Sequence, residues 1–171
     1  YKRQVERSTA SEFEQYVILG AGYDCRAHRL ELPSSLKIFE VDQSEVQARK
    51  RSKLPEKPPN SENITYVAVD FADQSLSEQL LEAGFNQSKS TVFTLEGVSQ
   101  YITKEAFTSI VKELATLAQT ADSIVFVSYV SELLKRNPKA CFGTDYPNAE
   151  RKARLITVSY THLRAHETRT Y

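Results

Sequence analysis

The sequence predicts an α/β fold built on a doubly wound parallel sheet, and three observations predict it. Short apolar runs alternate with helix-compatible segments through five cycles, the pattern of parallel strands joined by crossover helices. The first run, Val17-Ile18-Leu19, empties directly into the turn Gly20-Ala21-Gly22. The expected ends of the first four strands carry glycine or acid: Gly20 and Gly22, then Glu40 and Asp42, then Asp70, then Glu96. In an open α/β sheet, ligands bind outside the carboxyl ends of the strands where the strand order reverses. Each acid taken alone also reads as a helix cap or a solvated turn, and the glycines as turn geometry.

In chain order, residues 6–14 are polar and read as the end of a helix or an entry loop. Residues 15–19 form the first strand. Gly20 and Gly22 permit backbone torsions and close approaches that side chains block, and the following helix opens with unpaired N–H groups. Asp24 can cap that helix, which carries Arg26, His28, Arg29 and Leu30 and is stopped by Pro33. His28 reads as a packing or surface histidine. The run 36–41 is the second strand, with Asp42 about 20 residues beyond the glycine turn, the spacing at which nucleotide-binding α/β units set a carboxylate on a ribose hydroxyl.

Residues 44–53 read as a helix whose Arg49, Lys50, Arg51 and Lys53 form a solvated basic face. The proline-rich stretch 54–63 is a surface connection. Residues 64–69 make a third strand running into Asp70-Phe71, and 75–83 a short helix ended by Gly84. A fourth strand spans 91–95. Thr103 caps a helix with Phe107, Ile110, Val111, Leu114, Leu117 and Ala118 on one apolar face. Residues 123–130 are a fifth strand, with the continuous apolar pattern of a sheet covered on both sides. Beyond it, 133–136 is a weak helix before Pro138, and 142–154 has no clear period.

Both ends read as foreign to the rest. Tyr1-Lys2-Arg3-Gln4 can be encoded by TATAAGAGACAG, and the reverse complement of that DNA fits Thr157 to Thr161, an inverted coding repeat that folding does not produce. Residues 1–4 and 158–171 are therefore read as adapter-derived, leaving 5–157 as one partial domain. Of 22 basic and 22 acidic residues, these ends hold Lys2, Arg3, Arg164 and Arg169 against Glu167, so the remainder is acidic by a net three. That balance gives no nucleic-acid footprint. His162 and His166 are set aside with the tail, and His28 alone offers little for a metal site or a Ser/His/Asp triad. Cys25 and Cys141 match no metal spacing and read as reduced thiols, Cys25 packing at a helix start. No membrane span or leader is visible, and a cytoplasmic location is the default expectation.

Three segments together resemble the class I S-adenosylmethionine-dependent methyltransferases of the leucine carboxyl methyltransferase type, particularly their bacterial O-methyltransferase relatives. They are Leu19-Gly20-Ala21-Gly22-Tyr23-Asp24-Cys25-Arg26-Ala27-His28-Arg29-Leu30, Phe39-Glu40-Val41-Asp42-Gln43, and Glu96-Gly97-Val98-Ser99-Gln100-Tyr101-Ile102. The likeness covers residues 15–130, with Cys25 where the family usually has Thr and Ser44 where Pro is common. It implies a Rossmann-like methyltransferase sheet, S-adenosylmethionine as cofactor, and O-methyl transfer to a carboxylate or hydroxyl acceptor. It also implies roles: Gly20 and Gly22 at the methionine part of the cofactor, Asp42 on the ribose, Asp70 and Phe71 beside adenine, and Glu96 near the methionyl amine. Arg26 either helps the cofactor carboxylate or pairs with Glu40 or another acid. The resemblance names no catalytic base, no metal and no particular acceptor.

Two other readings stand beside this one. A glycine pair followed by an acid after the second strand is also the mark of an NAD-dependent oxidoreductase, although Cys25 holds the position of that motif's third glycine. The other is a noncatalytic fragment: an intact sheet of the methyltransferase type ends in an antiparallel hairpin, for which residues 131–156 supply no convincing strands. That predicts a sheet lacking its last strands, with an exposed edge along 123–130.

Overall fold

A computed structural model describes residues 13–119 and 123–129 together with the backbone of Thr161–Arg164. The sheet contains β1 (Gln15–Leu19), β2 (Lys37–Asp42), β3 (Ile64–Ala68), β4 (Thr91–Leu95), β5 (Ile124–Val127) and β6 (Thr161–Arg164). Their spatial order is β3-β2-β1-β4-β5-β6. The first five are parallel, with Val17 of the central β1 opposite Phe39 on one side and Phe93 on the other. The order reverses between β1 and β4, which opens a crevice above β1.

The helices are α1 (Arg26–Arg29), α2 (Ser44–Arg51), α3 (Leu76–Glu82) and α4 (Lys104–Leu117). Alternation along the strands divides the core in two. Val17, Leu19, Phe39, Val41, Phe93 and Leu95 face Leu76 and Leu80 of α3 and Ile110, Leu114 and Leu117 of α4. Tyr16, Ile18, Ile38 and Val92 face the opposite way, against Ala27 of α1 and Leu30 just beyond it. Burial on both faces explains why these strands read as unbroken apolar runs. Ser75 and Thr103 cap α3 and α4 by accepting from the N–H groups of Glu78 and Ala106.

Four expectations need correction. At α1 the capping position belongs to Cys25, whose side chain caps nothing, while Asp24 Oδ1 accepts the Arg26 N–H at 2.9 Å. The α2 face is not wholly solvated: Lys50 is 2% exposed and donates to both oxygens of Glu40, at 2.8 and 2.7 Å. Glu40 itself is fully buried on the α1–α2 side of the sheet, so it does not join Asp42 in the crevice. A carboxylate in the middle of a sheet must find a cation, and α2 supplies it. Finally, the β5 edge is covered: Thr161–Arg164 pairs antiparallel with it, Val125 standing opposite Leu163. The segment that pairs with this edge lies within the adapter-like stretch 158–171.

The entry segment expected at 6–14 lies almost wholly outside the described residues. The weak helix at 133–136, Pro138, Cys141, residues 142–154 and the adapter-like end 1–4 lie outside them as well.

Candidate active site

The glycine turn is built from the backbone outward. Ala21 N–H donates to the Val41 carbonyl at 3.0 Å, fastening the turn to β2. Gly20 and Gly22 take φ of +62° and +43°, left-handed torsions that favour glycine. A Cβ on Gly20 would stand 2.2 Å from Val98 Cγ2, so this position is closed by contact with the loop after β4. A Cβ on Gly22 meets nothing nearer than 3.9 Å, which leaves its backbone facing open space.

That space is a cavity of about 1200 Å³ along the carboxyl ends of β1 to β4. Gly20, Gly22, Asp42, Asp70 and Phe71 all line it, brought together from three strand ends. Val98, Ile102 and Ile110 supply apolar wall, and Tyr101, 77% exposed, stands at its margin. Asp42 Oδ2 accepts the Gly22 N–H at 2.6 Å, while Oδ1 accepts the N–H of Gln43 at 2.8 Å. Asp70 Oδ1 accepts from the Ala72 N–H at 2.9 Å, and its Oδ2 from the Gln43 carboxamide at 2.9 Å. Each carboxylate is thus oriented by fixed donors and keeps lone pairs for a ligand.

Glu96 is not among the residues that line this cavity, although its neighbours Gly97 and Val98 are. Its Oε2 lies 2.5 Å from Arg26 NH1. Arg26 also pairs with Asp24, so of the readings left open for it, pairing with acids other than Glu40 is the one seen here. Beneath this group Tyr16 is fully buried, and burial pushes its hydroxyl up to about 12.

On the same face of the sheet as Tyr16, burial raises the Glu40 pKa while Lys50 partly offsets it. His28 Nε2 lies 3.3 Å from Glu40 Oε1 and 3.4 Å from the Tyr66 hydroxyl. Burial and then the Lys50 charge lower the His28 pKa, keeping the imidazole neutral. This cluster ties α1, β2, β3 and α2 into one block behind the cavity.

Several lining residues had no assigned role in the sequence. Gln43 directly follows Asp42, and its reach to Asp70 follows only from the adjacency of β2 and β3. Glu113 of α4 accepts from the Ser75 hydroxyl and from both the N–H and hydroxyl of Ser77, at 2.8 to 3.0 Å. It closes the far end of the cavity by joining α4 to the start of α3, and nothing in its local sequence marks it. Among the described residues no group of His, Cys, Asp and Glu could hold a metal ion, and no helix is long and apolar enough to cross a membrane.

Comparison with known proteins gives the same picture. The chain is 40% identical over 129 residues to a Bacillus subtilis protein provisionally named S-adenosyl-L-methionine-dependent methyltransferase YktD, covering 71% of this chain and 40% of that one. It is 34% identical over 127 residues to a similarly named Mycobacteroides abscessus protein, covering 73% and 41%. The chain spans about two fifths of the length of these curated relatives. Human N-acetylserotonin methyltransferase, solved in complex with SAM, matches with a TM-score of 0.56 at 16% identity, over 93% of this chain and 41% of that one. A DUF574 family protein from Streptomyces avermitilis matches with a TM-score of 0.58 at 16% identity, over 90% and 64%. At such identity these structures speak to the fold alone, a Rossmann-like methyltransferase sheet. Residues 1–115 match the family model described as leucine carboxyl methyltransferase, and with the glycine turn and strand-end acids around one cavity, the chain belongs to the leucine carboxyl methyltransferase family.

Proposed function

We propose that the protein to which this chain belongs is an S-adenosylmethionine-dependent methyltransferase acting on a carboxylate or hydroxyl oxygen. The observation that carries this reading is the meeting of Gly20, Gly22, Asp42, Asp70 and Phe71 around one cavity at the strand-order reversal. The residues suit the cofactor chemically. Open space above Gly22 accepts a close backbone approach, and Asp42, already oriented, has acceptor capacity for vicinal ribose hydroxyls. Phe71 with Ile102 offers an apolar slot for a purine face, and Asp70 an acceptor for its exocyclic amine. Glu96, set back from the cavity wall and paired with Arg26, would serve a methionyl ammonium only by exchanging that guanidinium for it.

When bound, S-adenosylmethionine supplies a methyl group already activated on a sulfonium. The chain's task is to hold that centre in line with an oxygen nucleophile, and orientation alone supplies much of such an acceleration. A carboxylate acceptor is already ionised at neutral pH and needs no general base; a hydroxyl acceptor would be helped by one. Family membership favours methyl transfer over the hydride transfer that the glycine turn and Asp42 would also suit.

The test is transfer of a labelled methyl group from S-adenosylmethionine to carboxylate-bearing and hydroxyl-bearing small molecules. A product that releases methanol in mild base is a methyl ester, and a base-stable product is an ether. Label transferred to neither acceptor class, by a folded chain that binds the cofactor, would contradict this assignment of the acceptor atom.

A further inference from the structure

We propose that Gln43 is a positioning residue that aims the Asp70 carboxylate and thereby gives the cavity its preference for a 6-aminopurine. The inference rests on the cofactor reading above and adds a selectivity device to it.

Gln43 is the residue preceding α2, yet its side chain caps nothing on that helix. It crosses instead from the end of β2 to the end of β3 and donates from Nε2 to Asp70 Oδ2 at 2.9 Å. Its own N–H is held by Asp42 Oδ1 at 2.8 Å, so the base of the side chain is fixed where the ribose-side acid is fixed. One residue therefore connects the two acids that the cavity presents. The opposite oxygen of Asp70 takes the Ala72 N–H at 2.9 Å, and the Asp70 N–H donates to Gln74 Oε1 at 2.8 Å. With a donor on each oxygen, the carboxylate plane is set.

A second observation gives that restraint a purpose. Beside the main cavity lies a hollow of about 300 Å³, and Gln43 and Asp70 line both spaces. The Gln43–Asp70 bond thus stands in the wall between them. Without the carboxamide, Asp70 can turn toward the hollow and away from the ligand. A fixed carboxylate accepts from the amine of adenine, whereas the same edge of hypoxanthine presents a carbonyl oxygen that repels it. A loosely held, solvated carboxylate distinguishes the two poorly.

The experiment is calorimetric titration with S-adenosylhomocysteine and S-inosylhomocysteine on the wild-type chain, Gln43→Leu, Asp70→Ala and the double variant. Gln43 is exposed, and circular dichroism checks that each variant is folded. The wild type is expected to prefer the adenosyl ligand. Gln43→Leu should reduce that preference about tenfold, the scale of one hydrogen bond to a charged group. Adding Gln43→Leu to Asp70→Ala should change it no further, because the two act through one contact. An unchanged preference in Gln43→Leu, or effects that add in the double variant, would overturn the positioning role while leaving the cofactor reading intact. Absence of saturable adenosyl binding by the folded wild type would overturn both.

Discussion

Gly20 and Gly22 share a torsional requirement but differ in what surrounds them, and their substitutions should differ accordingly. Gly20→Ala meets a left-handed φ and forces Val98 to move, for a loss of about 2 to 4 kcal/mol. Gly22→Ala meets the torsion alone, about 1 kcal/mol. Urea unfolding of both variants checks this ordering, and equal losses would contradict it. Among the acids, Asp42→Ala should weaken S-adenosylhomocysteine more than Glu96→Ala, because Arg26 already neutralises Glu96. Calorimetry on both variants decides it. The cavity-lining positions of Gly20, Gly22, Asp42, Asp70 and Phe71 were legible because each follows an apolar strand run, where a strand's end can be read. The sequence left open which acid Arg26 meets, because that depends on side-chain direction at two separate strand ends.

At the scale of elements, α2 shows how a helix that reads as a solvated basic face serves as a structural cation source. Gln47 donates to the carbonyls of Glu40 and Val67, both at 2.9 Å, and Lys50, one turn on, meets the buried Glu40 carboxylate. The available signal was Glu40 itself, an acid inside an apolar strand that requires a buried counter-charge. Lys50→Met should destabilise the fold by about 3 to 5 kcal/mol near neutral pH, since it removes the cation from a buried acid that keeps only His28 beside it. The Glu40→Gln/Lys50→Met double variant should recover most of the loss, as a thermal or urea double-mutant cycle would show.

The same cluster governs a pH response. The His28 pKa is lowered by folding, so below its ordinary value of 6.5 the unfolded chain binds a proton that the folded chain refuses. Stability due to His28 is therefore full above that value and falls as pH drops toward the folded one, by at most about 1.4 kcal/mol per pH unit. Glu40 has the opposite sign: its raised pKa gives stability that is lost as pH rises through the folded value. His28→Gln should flatten the decline just below 6.5 in stability measured against pH, and an unchanged slope would contradict the assignment.

For the whole molecule, the five parallel strands and the gathering of glycines and acids at their carboxyl ends follow from the alternation of runs and the glycine-to-acid spacing, whereas the strand order is set by pairing between distant segments. The sixth strand lies in the segment 158–171 that the inverted coding repeat marks as adapter-derived, and its pairing with β5 is a long-range contact that local sequence does not show. Truncation before residue 158 should accelerate amide exchange in Ile124–Val127 and promote association through that edge, read by exchange mass spectrometry and gel filtration. Unchanged exchange and a monomer would show that β6 contributes little.

On the proposed function, the cavity above β1 to β4 binds S-adenosylmethionine and takes its hold on the ribose through Asp42. Calorimetric titration with S-adenosylmethionine, repeated on Asp42→Ala and with NADH as competitor, tests it most directly. Saturable S-adenosylmethionine binding is expected, weakened at least about tenfold by Asp42→Ala and undisturbed by NADH. Binding indifferent to Asp42, or displaced by NADH, would contradict it.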